Sequence, residues 1–131
     1  MKGQKGLTLL EVVIAVALFG IIAAGLFMAL NVSLKATATT DRLTIAESLT
    51  RSELEYIKAC PYDSSLDPGH PQYDVDPSLT IPSGYTIEVT AERLDPKGDG
   101  FDNDDGIQEV TVEVYFEGEL VVSTDAYKVN R

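Results

Sequence analysis

The sequence predicts an α+β chain: a long N-terminal helix, half membrane-spanning and half amphipathic, packed on a small three-stranded antiparallel sheet. Three observations carry that prediction. An uncharged apolar run extends from Val12 to Leu30, with Leu7, Leu9 and Leu10 ahead of it. No proline occurs between residues 7 and 60 and no breaker follows Leu30, so the helix begun in the apolar run continues to Ala59 and stops at Cys60-Pro61. Beyond a loop-like stretch, apolar and polar residues alternate with a period of two, the pattern of strands buried on one face.

The first element, residues 7–30, has the length of a membrane-crossing helix, which needs about 20 apolar residues. A secretory signal peptide would be shorter and would end at a small-residue cleavage site. Ala23-Ala24-Gly25 imitates such a site, but Leu26, Phe27, Met28 and Leu30 prolong the apolar run beyond it. Lys2 and Lys5 place the N-terminus on the cytoplasmic side and the rest of the chain outside. Ala17, Gly20, Ala24 and Gly25 would allow close helix–helix approach. Glu11 is the exception within this segment. A carboxylate at the centre of a membrane helix costs about 2.5–3.5 kcal/mol on insertion scales, and less towards the interface where Glu11 lies.

Residues 31–59 form the amphipathic half, supported by Glu47 and Arg51 at i,i+4. Two apolar stripes are expected: Leu34, Ala38, Ile45, Leu49 and Tyr56 in one, Leu43, Ala46, Leu54 and Ile57 in the other. Lys35, Arg42 and Glu53 lie between them. One stripe would cover the sheet and the other would meet neighbouring subunits; the alternative is one broad buried face with snorkelling charges. Residues 61–84, rich in Pro, Gly, Asp and Ser, read as an irregular loop. In the sheet, residues 85–129, Tyr85, Ile87, Val89 and Ala91 face one way. Val110, Val112, Val114 and Phe116 repeat the pattern, and a Glu117-Gly118 turn leads to a strand around Leu120 to Val129.

The net charge is −11, from 21 acidic and 10 basic residues. This acidic balance argues against nucleic acid as a partner, because phosphate contacts need clustered Lys and Arg. The single cysteine, Cys60, rules out an internal disulfide and reads as a buried or spectator thiol. His70, flanked by Gly69 and Pro71, reads as an exposed loop residue. No nucleophile–base–acid set, Cys/His metal cluster or phosphate-cradling loop is present, so no enzymatic activity is expected. Between the first two strands, residues 95–106 hold five Asp in twelve positions. Asp95, Asp99, Asp102, Asp104 and Asp105 are the candidate oxygen ligands for Ca²⁺, the one cofactor the sequence suggests. The same composition also makes a solvated hairpin loop of good turn formers, and it does not fit an EF-hand.

The segment KGQKG-LTLLE resembles the cleavage and methylation signature of type IV prepilins and type II secretion pseudopilins. The resemblance covers about the first third of the chain: a basic leader, a terminal Gly, a Glu five residues into the mature chain and an unbroken apolar helix. Leu7 stands where the family most often has Phe, and the absence of a proline in the apolar helix leans towards a minor pilin or pseudopilin. The resemblance implies a leader at 1–6, cleavage between Gly6 and Leu7 by prepilin peptidase, and N-methylation of Leu7. It further implies that Glu11 pairs in assembly with the Leu7 ammonium of a neighbouring subunit. A side-chain-free Gly6 suits an extended strand in a protease cleft. Methylation leaves the α-amino charge, reference pKa about 7.7–8.0, in place. The expected partners are other pilin subunits, the peptidase and the membrane, with residues 31–131 outside the cytoplasmic membrane. A single-pass anchored binding module with a calcium loop is the alternative.

Overall fold

In a computed structural model of the chain, residues 8–98, 100 and 103–131 are described. The elements follow the predicted order: helix α1 (Leu9–Ala59), then strands β1 (Tyr85–Arg93), β2 (Ile107–Phe116) and β3 (Glu119–Val129). The fold is α+β, with one long N-terminal helix and one antiparallel sheet in the order β1-β2-β3. The chain divides into two compact units, residues 1–40 and 41–131.

In the first unit, helix residues 9–40 are exposed except for half-buried Ala23. Phe19 is 73% exposed and Met28 71%. A helix apolar on every side does not belong in water, and this one is long and apolar enough to cross a membrane. The polar residues after Leu30 turn onto their own backbone. Asn31 Nδ2 donates to Phe27 O, and the Thr37, Thr39 and Thr40 hydroxyls donate to the carbonyls of Ser33, Lys35 and Ala36. Such i−4 bonds satisfy a polar side chain without water or a partner.

In the second unit, α1 buries one face made of Ala46, Leu49, Thr50, Glu53 and Ile57. The spacing of 3, 1, 3 and 4 is that of a single helical stripe. The two expected stripes are therefore not the buried surfaces. The sheet covers members of both, Leu49 from one and Ala46 and Ile57 from the other, and it buries Glu53 from between them. Leu43 and Ile45 remain about two-fifths exposed, at 41% and 38%. The broad-face alternative does not describe this half of the helix either: one stripe from Ala46 to Ile57 is buried, and its charge, Glu53, is fully enclosed instead of snorkelling to solvent.

The sheet follows the period of two. Ile87 on β1 and Val110, Val112 and Val114 on β2 are buried, with Val122, Val89 and Ala91 packed beside them. Register places Ile87, Val114 and Val122 on one rung, Val89, Val112 and Thr124 on the next, then Ala91, Val110 and Ala126. The rung after these is polar: Arg93, Gln108 and Lys128. At the opposite end, the Phe116 ring packs tilted at 59° against Tyr85, centroids 4.9 Å apart, and the Arg42 guanidinium lies 4.3 Å over the Phe116 ring. The β2–β3 turn has positive φ at both Glu117 (52°) and Gly118 (84°). Those are the signs a type I′ turn requires, and its twist matches that of the strands it joins.

The buried face gives a direct contrast. Leu49→Ala should destabilise the domain by about 2–5 kcal/mol. Leu43→Ala, at a site already open to solvent, should cost less than about 1 kcal/mol by urea unfolding of the full chain in detergent.

Candidate functional site

The candidate site at the membrane end is the first turn of α1. Thr8 precedes the helix: its Oγ1 accepts from Glu11 N at 3.4 Å, and its carbonyl accepts from Val12 N at 3.2 Å. Thr8 is thus the N-cap, and Thr8-Leu9-Leu10-Glu11 has the S/T-x-x-E spacing of a capping box. Glu11 stands in the first turn, where the positive end of the helix dipole favours a carboxylate. Its side chain is exposed, and among the described residues no hydrogen bond or ion pair reaches its carboxylate. Gly6 and Leu7, the expected cleavage and methylation positions, lie outside the described residues. Thr8 therefore closes the helix N-terminus through the Glu11 main-chain N–H, and the Glu11 carboxylate stands on an apolar surface with no partner among the described residues. Thr8 was legible from the T-x-x-E spacing, a signal hidden behind the cleavage signature that overlaps it.

At the other end of α1 the polar rung meets the helix C-terminus. Lys128 is buried, and its Nζ donates to Ile57 O and Cys60 O at 2.5 and 2.7 Å. A cation there adds a second donor to Ile57 O, which also accepts from Cys60 N at 3.2 Å, and faces the negative end of the dipole. Burial pulls the Lys128 pKa down. Gln108, wholly buried, accepts from Tyr73 OH at 2.6 Å and donates to Asp63 O. On the helix itself, Glu53 is 0% exposed, and both its carboxylate oxygens accept from Asp76 N at 3.2 Å. Burial raises its pKa, with the Asp76 bond opposing. These contacts moor the loop 61–84. The alternation of β2 puts Gln108 in phase with Val110 and Val112, but nothing local marks the partners of Gln108, Lys128 or Glu53, which lie far along the chain.

The loop also contains a histidine–carboxylate pair. His70 is exposed, as expected, and its Nδ1 lies 2.6 Å from Asp63 Oδ2. That bond and the Gln72 N–H hold the Asp63 carboxyl at about 2, below its ordinary value. Among the described residues no Ser, Thr or Cys side chain bonds to His70, so the pair anchors the loop and activates no nucleophile. Cys60 is a half-buried free thiol.

Of the candidate calcium ligands, Asp99 and Asp102 lie outside the described residues. The other three engage the protein itself. Asp95 accepts from Gly98 N at 2.6 Å and Gly100 N at 2.9 Å. Asp104 accepts from Tyr62 OH at 2.7 Å and Gly106 N at 3.0 Å. Asp105 pairs with Lys97, which lowers its pKa. Among the described residues no group of three Asp, Glu, His or Cys side chains is placed to hold a metal ion. Beside the loop, Arg93 Nε and Nη2 are buried with no hydrogen-bond partner among the described residues.

Residues 1–27 match the family model of the prokaryotic N-terminal methylation motif, the signature of type IV pilins and pseudopilins. No curated protein and no solved structure matches the chain. The motif, together with the apolar N-terminal helix, points to a type IV pilin-like structural protein with a membrane anchor.

The Asp63–His70 pair gives a pH signature. A depressed carboxyl stabilises above its unfolded pKa and loses that contribution as pH falls through the folded value. The contribution is therefore complete above about pH 4 and lost towards pH 2. A carbon-13 NMR titration should find Asp63 ionised down to about pH 2. In His70→Ala its midpoint should rise towards 3.8, the ordinary value.

Proposed function

We propose that the chain is a structural subunit of a type IV pilus or a type II secretion pseudopilus. In this reading prepilin peptidase cuts between Gly6 and Leu7, Leu7 is N-methylated, and the mature chain polymerises through α1. The observation that carries it is the methylation motif at residues 1–27, followed by a helix whose apolar surface is bare on every side. A bare apolar helix is stable in lipid before assembly and among like helices afterwards, so the same surface serves both states.

Glu11 supplies the register. The cut creates a cationic amine two residues ahead of Leu9, while the Glu11 carboxylate has no partner among the described residues. In a filament core each charge alone is costly, and pairing between neighbouring subunits removes both costs at one axial offset. The pair thus specifies register more than it stabilises. The alternative, an anchored module whose 95–106 loop binds Ca²⁺ through Asp95, Asp99, Asp102, Asp104 and Asp105, rests on sequence spacing. No contact among the described residues favours it.

The capping box supplies the discriminating variant. The cap runs from the Glu11 main-chain N–H to Thr8 Oγ1, so Glu11→Gln keeps it and removes only the charge. Cells producing Glu11→Gln should insert and cleave the precursor but yield few sheared filaments, as should Glu11→Ala; Gly6→Val should leave uncut precursor. Normal filament yield from Glu11→Gln would contradict the pairing role.

A further inference from the structure

The second unit carries a cleft of about 520 Å³ where the end of α1 meets the end of β3. Its lining includes Lys58, Cys60, Tyr62, Tyr127, Lys128 and Arg131; no carboxylate side chain lines it, and the adjacent Asp104 and Glu109 are engaged by the Tyr62 and Tyr127 hydroxyls. Three cationic side chains around one concavity stand out in a chain of net charge −11. None of the three is in an ion pair among the described residues, where the pairs are His70–Asp63 and Lys97–Asp105. Lys128 is at the back, its ammonium spent on two helix carbonyls and 5.3 Å over the Tyr73 ring. Lys58 and Arg131 are exposed and free to turn towards a ligand. A cleft of one charge sign with low-dielectric walls concentrates the opposite charge.

The outer face of the sheet carries the opposite imbalance. Register sets Glu88 directly across from Glu113, and Glu92 across from Glu109. Like charges in cross-strand pairs destabilise a sheet. Among the described residues no Lys or Arg forms an ion pair with any of the four. Glu88 and Glu92 are exposed on β1, an edge strand, and the cleft adjoins β3, the other edge.

We infer that the Lys58–Lys128–Arg131 cleft is a docking site for a second copy of this chain, and that it receives the Glu88 and Glu92 carboxylates of that copy's β1 edge. Donor and acceptor surfaces lie on opposite edges of one sheet, so the contact is heterologous and leaves each end of a pair open for the next copy. The inference rests on the filament reading for its biological setting, while the contact itself can be measured without filaments. Charge pairing at such a rim sets partner orientation and association rate more than affinity.

The native thiol is the reporter. Cys60 lines the cleft and is the only cysteine of the chain. Thr90, exposed on β1 between the two acids, is the site for a second one. Full-length Thr90→Cys in membranes, oxidised with copper phenanthroline, should give a ladder of covalent oligomers. Wild type, with one thiol per chain, stops at dimers. Adding Lys58→Glu and Arg131→Glu should lower the ladder yield roughly tenfold, equivalent to about 1.4 kcal/mol. Adding Glu88→Lys and Glu92→Lys as well should restore it, which a merely misfolded variant would not do. A ladder in cells that shed no filaments would support the cleft and remove the filament reading. Filaments without the ladder, a ladder indifferent to charge reversal, or reversal without rescue would overturn the cleft.

Discussion

The structure depends on one helix meeting two environments without a break in its backbone hydrogen bonding. Helix α1 runs from Leu9 to Ala59, and its internal amide–carbonyl ladder is the reason it can be bare in one unit and buried in the other. From Leu9 to Leu30 the side chains match lipid. From Asn31 to Thr40 several polar side chains close onto the helix's own carbonyls. From Ala46 to Ile57 one face becomes half of a protein core. A proline or an unpaired amide along this path would interrupt all three roles at once.

The two ends of the helix are closed by charged groups of opposite sign, in the sense the helix dipole favours. At the start, Thr8 caps and Glu11 lies in the first turn; at the finish, Lys128 fills carbonyls of the last turn and just beyond it. The second closure is structural; at the first, the Glu11 carboxylate has no partner among the described residues. Lys128, Gln108 and Glu53 are buried polar groups with their hydrogen bonds made, so they fix where the loop 61–84 sits. Removing one partner would cost more than the pair is worth, because the other would be left buried and unsatisfied.

Much of this was legible because it is local. The apolar run, the stop at Pro61, the alternation in β1 and β2 and the Glu117-Gly118 turn depend on neighbours a few residues apart. The buried face of α1 was not: with two apolar stripes on the helix, the sheet chose members of each, and Glu53 is buried because an amide 23 residues away meets it. Gln108 shares the parity of Val110 and Val112, and Lys128 that of Ala126, so the period of two gives their face but not what they bond. Their partners at Tyr73 and Ile57 lie 35 and 71 residues distant. The methylation motif was legible for another reason: it is a short local pattern within residues 1–27 that needs no tertiary structure to be recognised.

In the proposed pairing, the cation that meets Glu11 is created only when the leader is cut, so the N-terminus of the mature chain is the decisive feature. Intact-mass and N-terminal peptide spectrometry of the protein extracted from its native membrane measures this directly. The account predicts a chain beginning at Leu7, heavier by one methyl group on its α-amine. A chain that still begins at Met1 or Lys2 would contradict it and leave the apolar helix as a plain anchor.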